Sequence, residues 1–403
     1  MEARKRWKPN FFFSRGLRTI ALTAVFFSAL QSALGSAKVG GGSNRANSIT
    51  IKNRRAGKLY SAQCGQVWQG QYARLHAAIL EDEPSRQRLA VVKAHKNGLG
   101  DRLTAAVTIF YYALLSGRAF RIDWHGASSE ATLATVMEKP NVDWEAAEDL
   151  AGMWPEARTV VFEINTGAVD KLFYNPYHRQ QLFEWGLRPE TAVGCALNYL
   201  FKPRPEVLEL VHENFKALRN PDALKIGIQV RMGDAWLQNK PYGVCDREID
   251  HDDLGRWFRC ASKVEEEYRV EGMPVHWYMV SDCPALRYKA AKKYGPKVLL
   301  PSQELVTEHI TYSTGNTTKD LLAIQTAFAE QWLLGMTDFQ VITEESSFGR
   351  LAALRSLRFR SVYTMRSPEA MAERSRNDSW ECKRSEFDTF EEVAVKHPWV
   401  KVL

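Results

Sequence analysis

Three stretches constrain this chain more than any others: RLAVVKAH, GDRLTAAVTIFYYALLSGR and AFRIDW, which follow one another between residues 88 and 124. The first and third are short and apolar. The second spaces its apolar residues for a helix, with Gly117 near its end. Strand, helix, strand predicts a βαβ crossover, and a crossover predicts a parallel sheet. The alternation resumes near residue 225. KIGIQV, HWYMVSD (276–282), KVLLP (297–301) and FQVITEE (339–345) read as strands, with helices at 252–269, 285–294 and 319–335 between them. RPEVLELVHENFKAL (204–218) reads as one helix leading into this second series. The Trp-, Pro- and Glu-rich stretch 125–190 gives no clear order. The expected architecture is α/β: two Rossmann-like parallel-sheet domains, 61–224 and 225–403, facing across a cleft.

A chain of 403 residues fits two domains better than one core. Its net charge of +7 is concentrated at the start. Residues 1–58 carry twelve of the 54 Lys/Arg and only Glu2 of the 47 acids, leaving 42 bases and 46 acids, net −4, for the rest. A slightly acidic body argues against nucleic acid as a partner, which demands a basic footprint. The basic tail 1–18 precedes an uncharged run at 19–34 that extends to 37 through small residues, close to the ~20 residues of a spanning helix. A positive flank predicts a signal anchor with a cytosolic N-terminus and a lumenal body, single-pass type II, in the Golgi or ER. Cleavage near ALGSA is the alternative, giving a secreted protein. Residues 38–60, opening with KVGGGSNRANS, read as a flexible stalk. All six cysteines (Cys64, Cys195, Cys245, Cys260, Cys283, Cys382) follow the apolar run, where disulfides are permitted. Sequons at Asn316 and Asn377 fit the same compartment.

In open α/β sheets, ligands bind outside the carboxyl ends of the strands. The strand of KIGIQV delivers Arg231 there, after Gln229; the strand at 276–280 delivers Ser281 and Asp282; the strand at 339–343 delivers Glu344, Glu345, Ser346 and Ser347 and then opens the helix SFGRLAALRSL. A guanidinium, a helix N-terminus and an acid for base or ribose describe a nucleotide-diphosphate site. Each residue also has a structural reading. Arg231 can pair with Asp234, Asp282 can cap the helix near Pro284, and the two serines can cap their own helix. In the first domain, Gly98 and Gly100 of HKNGLGDRL sit between strand and helix, with Leu103 where a dinucleotide fingerprint has its third glycine. Those glycines are expected to let the backbone approach a ligand in the cleft. Asp250-His251-Asp252 has the spacing of a metal-dependent sugar transferase, yet acids just ahead of a helix are explained by capping. No HExxH, P-loop or GxSxG pattern occurs, and no metal is expected.

Five ordered blocks, NGLGDRLTAAVTIFYYALLSGRAFRIDW, LNYLFKPRPEVLE, IGIQVRMGDAW, VSDCPALRYKAAKKYGPKV and AFAEQWLLGMTDFQVITEESSFGRLAAL, span roughly residues 90–360. Together they resemble the GT-B fucosyltransferases that use GDP-fucose: the plant α1,2-, the α1,6- and the protein O-types. The resemblance implies GDP-fucose on the second domain, a glycan or glycoprotein acceptor in the cleft, and inversion without a metal or other cofactor. It implies that Arg231 meets the β-phosphate and the departing oxygen, and that Asp282 helps hold guanosine. Ser346, Ser347 and Phe348 would line the pocket with Glu330 behind them, Gln229, Asp234 and Ser281 would belong to the donor set, and Gly98 and Gly100 would approach from the other domain. Three positions depart from the pattern. Gln229 stands where many relatives have His, Met232 replaces a second arginine of the α1,6 type, and Asp101 stands where Asn is common. Asp101 is read as either a base or a helix cap. Two other readings stay open: a transferase for another nucleotide sugar, and a non-catalytic lumenal glycan-binding protein of the same fold.

Overall fold

A computed structural model describes residues 63–94, 97–124, 126–146, 158–164, 167, 169–232, 252–308, 310–344, 346–358, 361–366, 382 and 384. The expected tail, anchor and stalk, together with Asp234, Cys245, Asp250, His251, Glu345 and the sequon at Asn377, lie outside them.

The first half runs α1 (Val67–Glu81), β1 (Leu89–Ala94), α2 (Leu99–Ser116) and β2 (Ala119–Asp123), as the βαβ pattern requires. The stretch with no order in its sequence then supplies β3 (Met137–Glu138), β4 (Val160–Ile164), α3 (Val169–Tyr174) and α4 (Pro176–Glu184), and α5 (Pro189–Leu200) and β5 (Lys202–Pro203) follow it. Strand β4 joins β1 in parallel, so the first sheet is ordered β2-β1-β4. Strands β3 and β5 pair antiparallel on their own.

The second half begins with a correction. The single helix expected at 204–218 is two, α6 (Pro205–Glu209) and α7 (His212–Arg219). The chain breaks at Val211, which leaves helical geometry (φ −128°, ψ 27°) and is buried at 1% exposure. After α7 come β6 (Leu224–Val230), α8 (Asp252–Tyr268), β7 (Val275–Ser281), α9 (Ala285–Tyr294), β8 (Val298–Leu299), α10 (Thr317–Leu334), β9 (Phe339–Thr343), α11 (Ser347–Arg355) and β10 (Val362–Met365). Strand β8 is shorter than KVLLP suggests, because a 3₁₀ turn occupies Gly295–Lys297. The five strands are parallel in the order β10-β9-β6-β7-β8.

Every residue of the central strand β6 is buried. Leu224, Ile226, Ile228 and Val230 pack with Leu254, Trp257 and Phe258 of α8 in one apolar cluster. Complete removal of such a side chain from water is worth about 1.5–3 kcal/mol. On the next strand, Tyr278 and Val280 join the other cluster, with Ile324 and Phe328 of α10. Helices thus cover both faces of the sheet, which is why its middle strand reads as nearly continuous apolar sequence.

Both sheets belong to one compact unit. Helix α11 connects β9 to β10 of the second sheet but packs on α2 and α5 of the first half. Two glycines make the approach possible. A Cβ at Gly100 would lie 2.6 Å from the Phe348 nitrogen, and one at Gly194 would lie 2.3 Å from the Leu354 carbonyl oxygen. Backbone therefore meets backbone near both ends of α11. Disulfides Cys64–Cys195 and Cys260–Cys382 close further loops, and Cys283 is also disulfide-bonded. No helix among the described residues is long and apolar enough to cross a membrane.

Candidate active site

Strand β6 places Arg231 at its carboxyl end, and the two neighbouring strands fix it there. The Arg231 backbone N–H donates to Thr343 Oγ1 of β9 at 2.9 Å. On the other side, Arg231 Nη1 lies 3.2 Å from Asp282 Oδ2, just beyond β7. The second Asp282 oxygen accepts from the Met232 N–H at 2.8 Å. One carboxylate therefore holds both the Arg231 side chain and the backbone beyond it. The Asp282 side chain is only 5% exposed, while that of Arg231 is 31% exposed. The guanidinium is anchored on its protein side and still reaches solvent.

These contacts bear on the alternatives left by the sequence, and they answer the one for Asp282. Asp282 does not cap α9, where Pro284 occupies the N-cap position with no side-chain cap; it serves β6 instead. Among the described residues Arg231 pairs with Asp282, and Asp234 lies outside them. Ser281 is structural in its contacts: its hydroxyl donates to the Val230 carbonyl at 2.8 Å and accepts from the Cys283 N–H at 3.0 Å.

Gln229 is buried, and its amide is engaged at both ends. Its oxygen accepts from the Thr343 N–H at 3.0 Å, and its NH₂ donates to Ser346 Oγ at 3.1 Å. Gln229 thereby sets the β9–α11 turn from below. Ser346 is the N-cap residue of α11, yet its hydroxyl makes no cap bond. The backbone N–H groups of Ser347, Phe348 and Gly349 occupy the first turn, where a helix has no internal acceptors and carries partial positive charge. This N-terminus and Arg231 are both tied to Thr343, since the Ser346 N–H donates to the Thr343 carbonyl at 3.1 Å. Two sources of positive potential thus flank one residue.

From the first sheet, Gly98 is the N-cap of α2, and an added Cβ there meets nothing within 4 Å. Gly100 is the glycine the packing requires. Asp101, next in the first turn of α2, accepts a 2.5 Å hydrogen bond from Ser347 Oγ. A carboxylate thus sits between the N-termini of two helices, a position both dipoles favour. Glu330 lies elsewhere, in a buried ion pair with Arg287, whose Nε also donates to the Met279 carbonyl at 3.2 Å.

Sequence reasoning passes over Thr343 and Arg102. Thr343 ends a strand without a charge to draw notice, and its role depends on its place beside β6. Arg102 is buried; its Nε donates to the Asn97 carbonyl at 2.8 Å, its Nη2 to Thr311 Oγ1 at 3.1 Å, and its guanidinium lies 4.7 Å from the Trp124 ring centroid. Burial pushes the guanidinium down to about 10, which leaves it charged at neutral pH.

No family model and no curated protein matches the sequence. Among solved structures, the chain is similar to a variant of Arabidopsis thaliana FUT1 in complex with GDP, at 16% identity and a TM-score of 0.49 over 80% of each chain. It is also similar to the fucosyltransferase NodZ from Bradyrhizobium, at 15% identity and a TM-score of 0.41 over 70% of this chain and 96% of that one. A NodZ α-1,6-fucosyltransferase soaked with GDP-fucose gives 16% identity and a TM-score of 0.41 over 69% and 95%.

Proposed function

We propose that the chain is a glycosyltransferase that moves fucose from GDP-fucose to a glycan hydroxyl, with inversion and without a metal. The observation that carries this reading is Arg231: a cation fixed by Asp282 and Thr343, partly open to solvent, and linked through Thr343 to the N-terminus of α11. The ordered motif blocks support the choice of donor.

In the reaction, the bond from the anomeric carbon to the β-phosphate oxygen breaks with its electrons staying on GDP. The acceptor oxygen bonds the opposite face of the sugar and releases its proton to water. Negative charge grows on the diphosphate where Arg231 and the first-turn N–H groups of α11 are already oriented, and such preorganised donors lower the barrier. Asp282 keeps the guanidinium fork aimed. Gln229 does the same for the α11 N-terminus through Thr343 and Ser346. Disulfides suit an oxidising compartment. With the expected anchor at 19–37, they support a single-pass type II protein of the Golgi or ER with a lumenal catalytic body.

The test is a panel of GDP-fucose, GDP-mannose and UDP-sugars read by thermal shift and by transfer onto polysaccharide, N-glycan and peptide acceptors. GDP and GDP-fucose should protect, and fucose transfer should survive EDTA. Protection by a UDP-sugar alone would replace the donor. A strict Mn²⁺ requirement would make Asp250 and Asp252 the residues to examine.

A further inference from the structure

Residues 310–316 cross from the second half to the β1–α2 junction of the first and are tied down along their length. Ile310 is buried in the large apolar cluster. Thr311 Oγ1 donates to the Asn97 carbonyl at 2.9 Å and accepts from Arg102 at 3.1 Å. Ser313 Oγ donates to Asp320 at 2.7 Å; Thr314 donates to the same carboxylate from its N–H at 2.8 Å and its hydroxyl at 2.7 Å. Asp320 is itself buried. Burial alone would raise its carboxyl, but the Thr314 N–H and the Ser313 and Thr314 hydroxyls bring it below the usual range. The same hydroxyls accept from the Gly315 and Asn316 N–H groups at 3.1 and 3.3 Å. Outside this network, Lys319 and Glu308 bridge the base of the loop at 2.6 Å.

Between those two anchors stands Tyr312, 56% exposed. A surface loop tied down this densely has given up conformational freedom, and the large side chain it presents is that tyrosine. Three other tyrosines among the described residues are exposed, Tyr174, Tyr177 and Tyr288. They lie on α3, α4 and α9. Tyr312 differs from these three in adjoining a residue bonded to Asn97, which lies two positions before the start of α2 at Leu99 and four before Asp101. That places it beside the carboxyl end of the first sheet, on the side where α2 meets the donor helix α11.

We propose that Tyr312 is a stacking platform for a pyranose ring of the acceptor glycan, an acceptor subsite of the transferase. It rests on the fucosyltransferase reading for its place in the reaction. A sugar ring offers a patch of C–H groups to a flat aromatic face, and an aromatic carried on a loop whose neighbours are already tied down leaves less backbone freedom to lose when the sugar arrives. Contacts made at a sugar remote from the reacting hydroxyl hold that hydroxyl over the donor.

The experiment compares wild type, Tyr312→Ala, Tyr312→Phe and a control, Tyr177→Ala, for acceptor KM, GDP affinity and oligosaccharide binding in the presence of GDP. Tyr312→Ala is expected to raise the acceptor KM about tenfold, the size of a lost aromatic contact, with GDP affinity unchanged. Tyr312→Phe, which keeps the ring, should bring the KM back to within about threefold. An acceptor KM indifferent to Tyr312→Ala overturns the subsite, as does transfer confined to an unglycosylated peptide. A wild type that binds oligosaccharide through Tyr312 but transfers no fucose overturns the donor reading and leaves the subsite standing.

Discussion

Two arginine–carboxylate pairs sit in the second half, one at the carboxyl ends of its strands and one between its helices α9 and α10, and differ in one respect. Arg287 and Glu330 are sealed, with side chains 4% and 5% exposed; Arg231 and Asp282 are closed on the acid side and open on the guanidinium side, at 31% and 5%. Burial raises the Glu330 carboxyl despite the guanidinium beside it, so the sealed pair is held against a desolvation penalty. It joins α9 to α10 and is almost wholly withdrawn from solvent. In the open pair, Asp282 holds one arm of the fork while the Arg231 side chain keeps 31% of its surface exposed. The same kinds of residue thus build a sealed strut in one place and, in the other, a held but accessible cation, which the proposed function assigns to the donor diphosphate. Access to solvent at the cation is the difference.

Breaking the sealed pair should produce the largest effect, and it should be on stability. Glu330→Gln leaves Arg287 buried without its counter-charge and is expected to cost about 3–5 kcal/mol in urea unfolding. Converting both residues to apolar ones of similar volume should recover most of that loss, and a double variant no better than the single would show the pair to be more than a strut. Changing the open pair should instead strike turnover. Arg231→Lys keeps the charge beside Asp282 but not the fork; kcat should fall about 10²–10³-fold. Its unfolding free energy should stay within about 1 kcal/mol of wild type. A destabilisation matching that of Glu330→Gln would erase the distinction between the pairs. The smallest effect belongs to Gly100→Ala, which touches neither pair but forces a methyl against the Phe348 nitrogen. Overpacking of this kind costs about 1–3 kcal/mol. It should weaken GDP binding in calorimetry by displacing the α11 N-terminus from Arg231.

The strands that carry the site are legible because each is largely buried and reads as an apolar run ended by polar residues. Their carboxyl ends name Arg231, Ser281, Asp282, Ser346 and Ser347 directly. What joins those residues is not legible. Along the chain Arg231 looks to Asp234 three positions on, which lies outside the described residues; among those described its partner is Asp282, delivered by the adjacent strand. Gln229 reads as a donor contact, but its amide faces Thr343 and Ser346. Such pairings are set by sheet order, and alternation along the chain does not reveal which strand neighbours which. Strand β4 escapes a sequence reading for a different reason. VVFEI is only partly buried at the edge of a small sheet and lacks the buried run that marks β6.

Helix α11 has a mechanical consequence. It belongs in sequence to the second sheet but is gripped near both ends by the first half, at Gly100 and at Gly194. It cannot swing as a passive lever with β9, because its backbone is seated on α2 and α5. If the two halves open to admit a donor, α11 must either slide over those seats or stay with the first half while the β9–α11 turn flexes. That turn runs from Thr343 to Ser346, the two residues that Gln229 staples to β6. On the proposed function, any opening of the donor site would therefore be restrained from inside the sheet, by a buried amide.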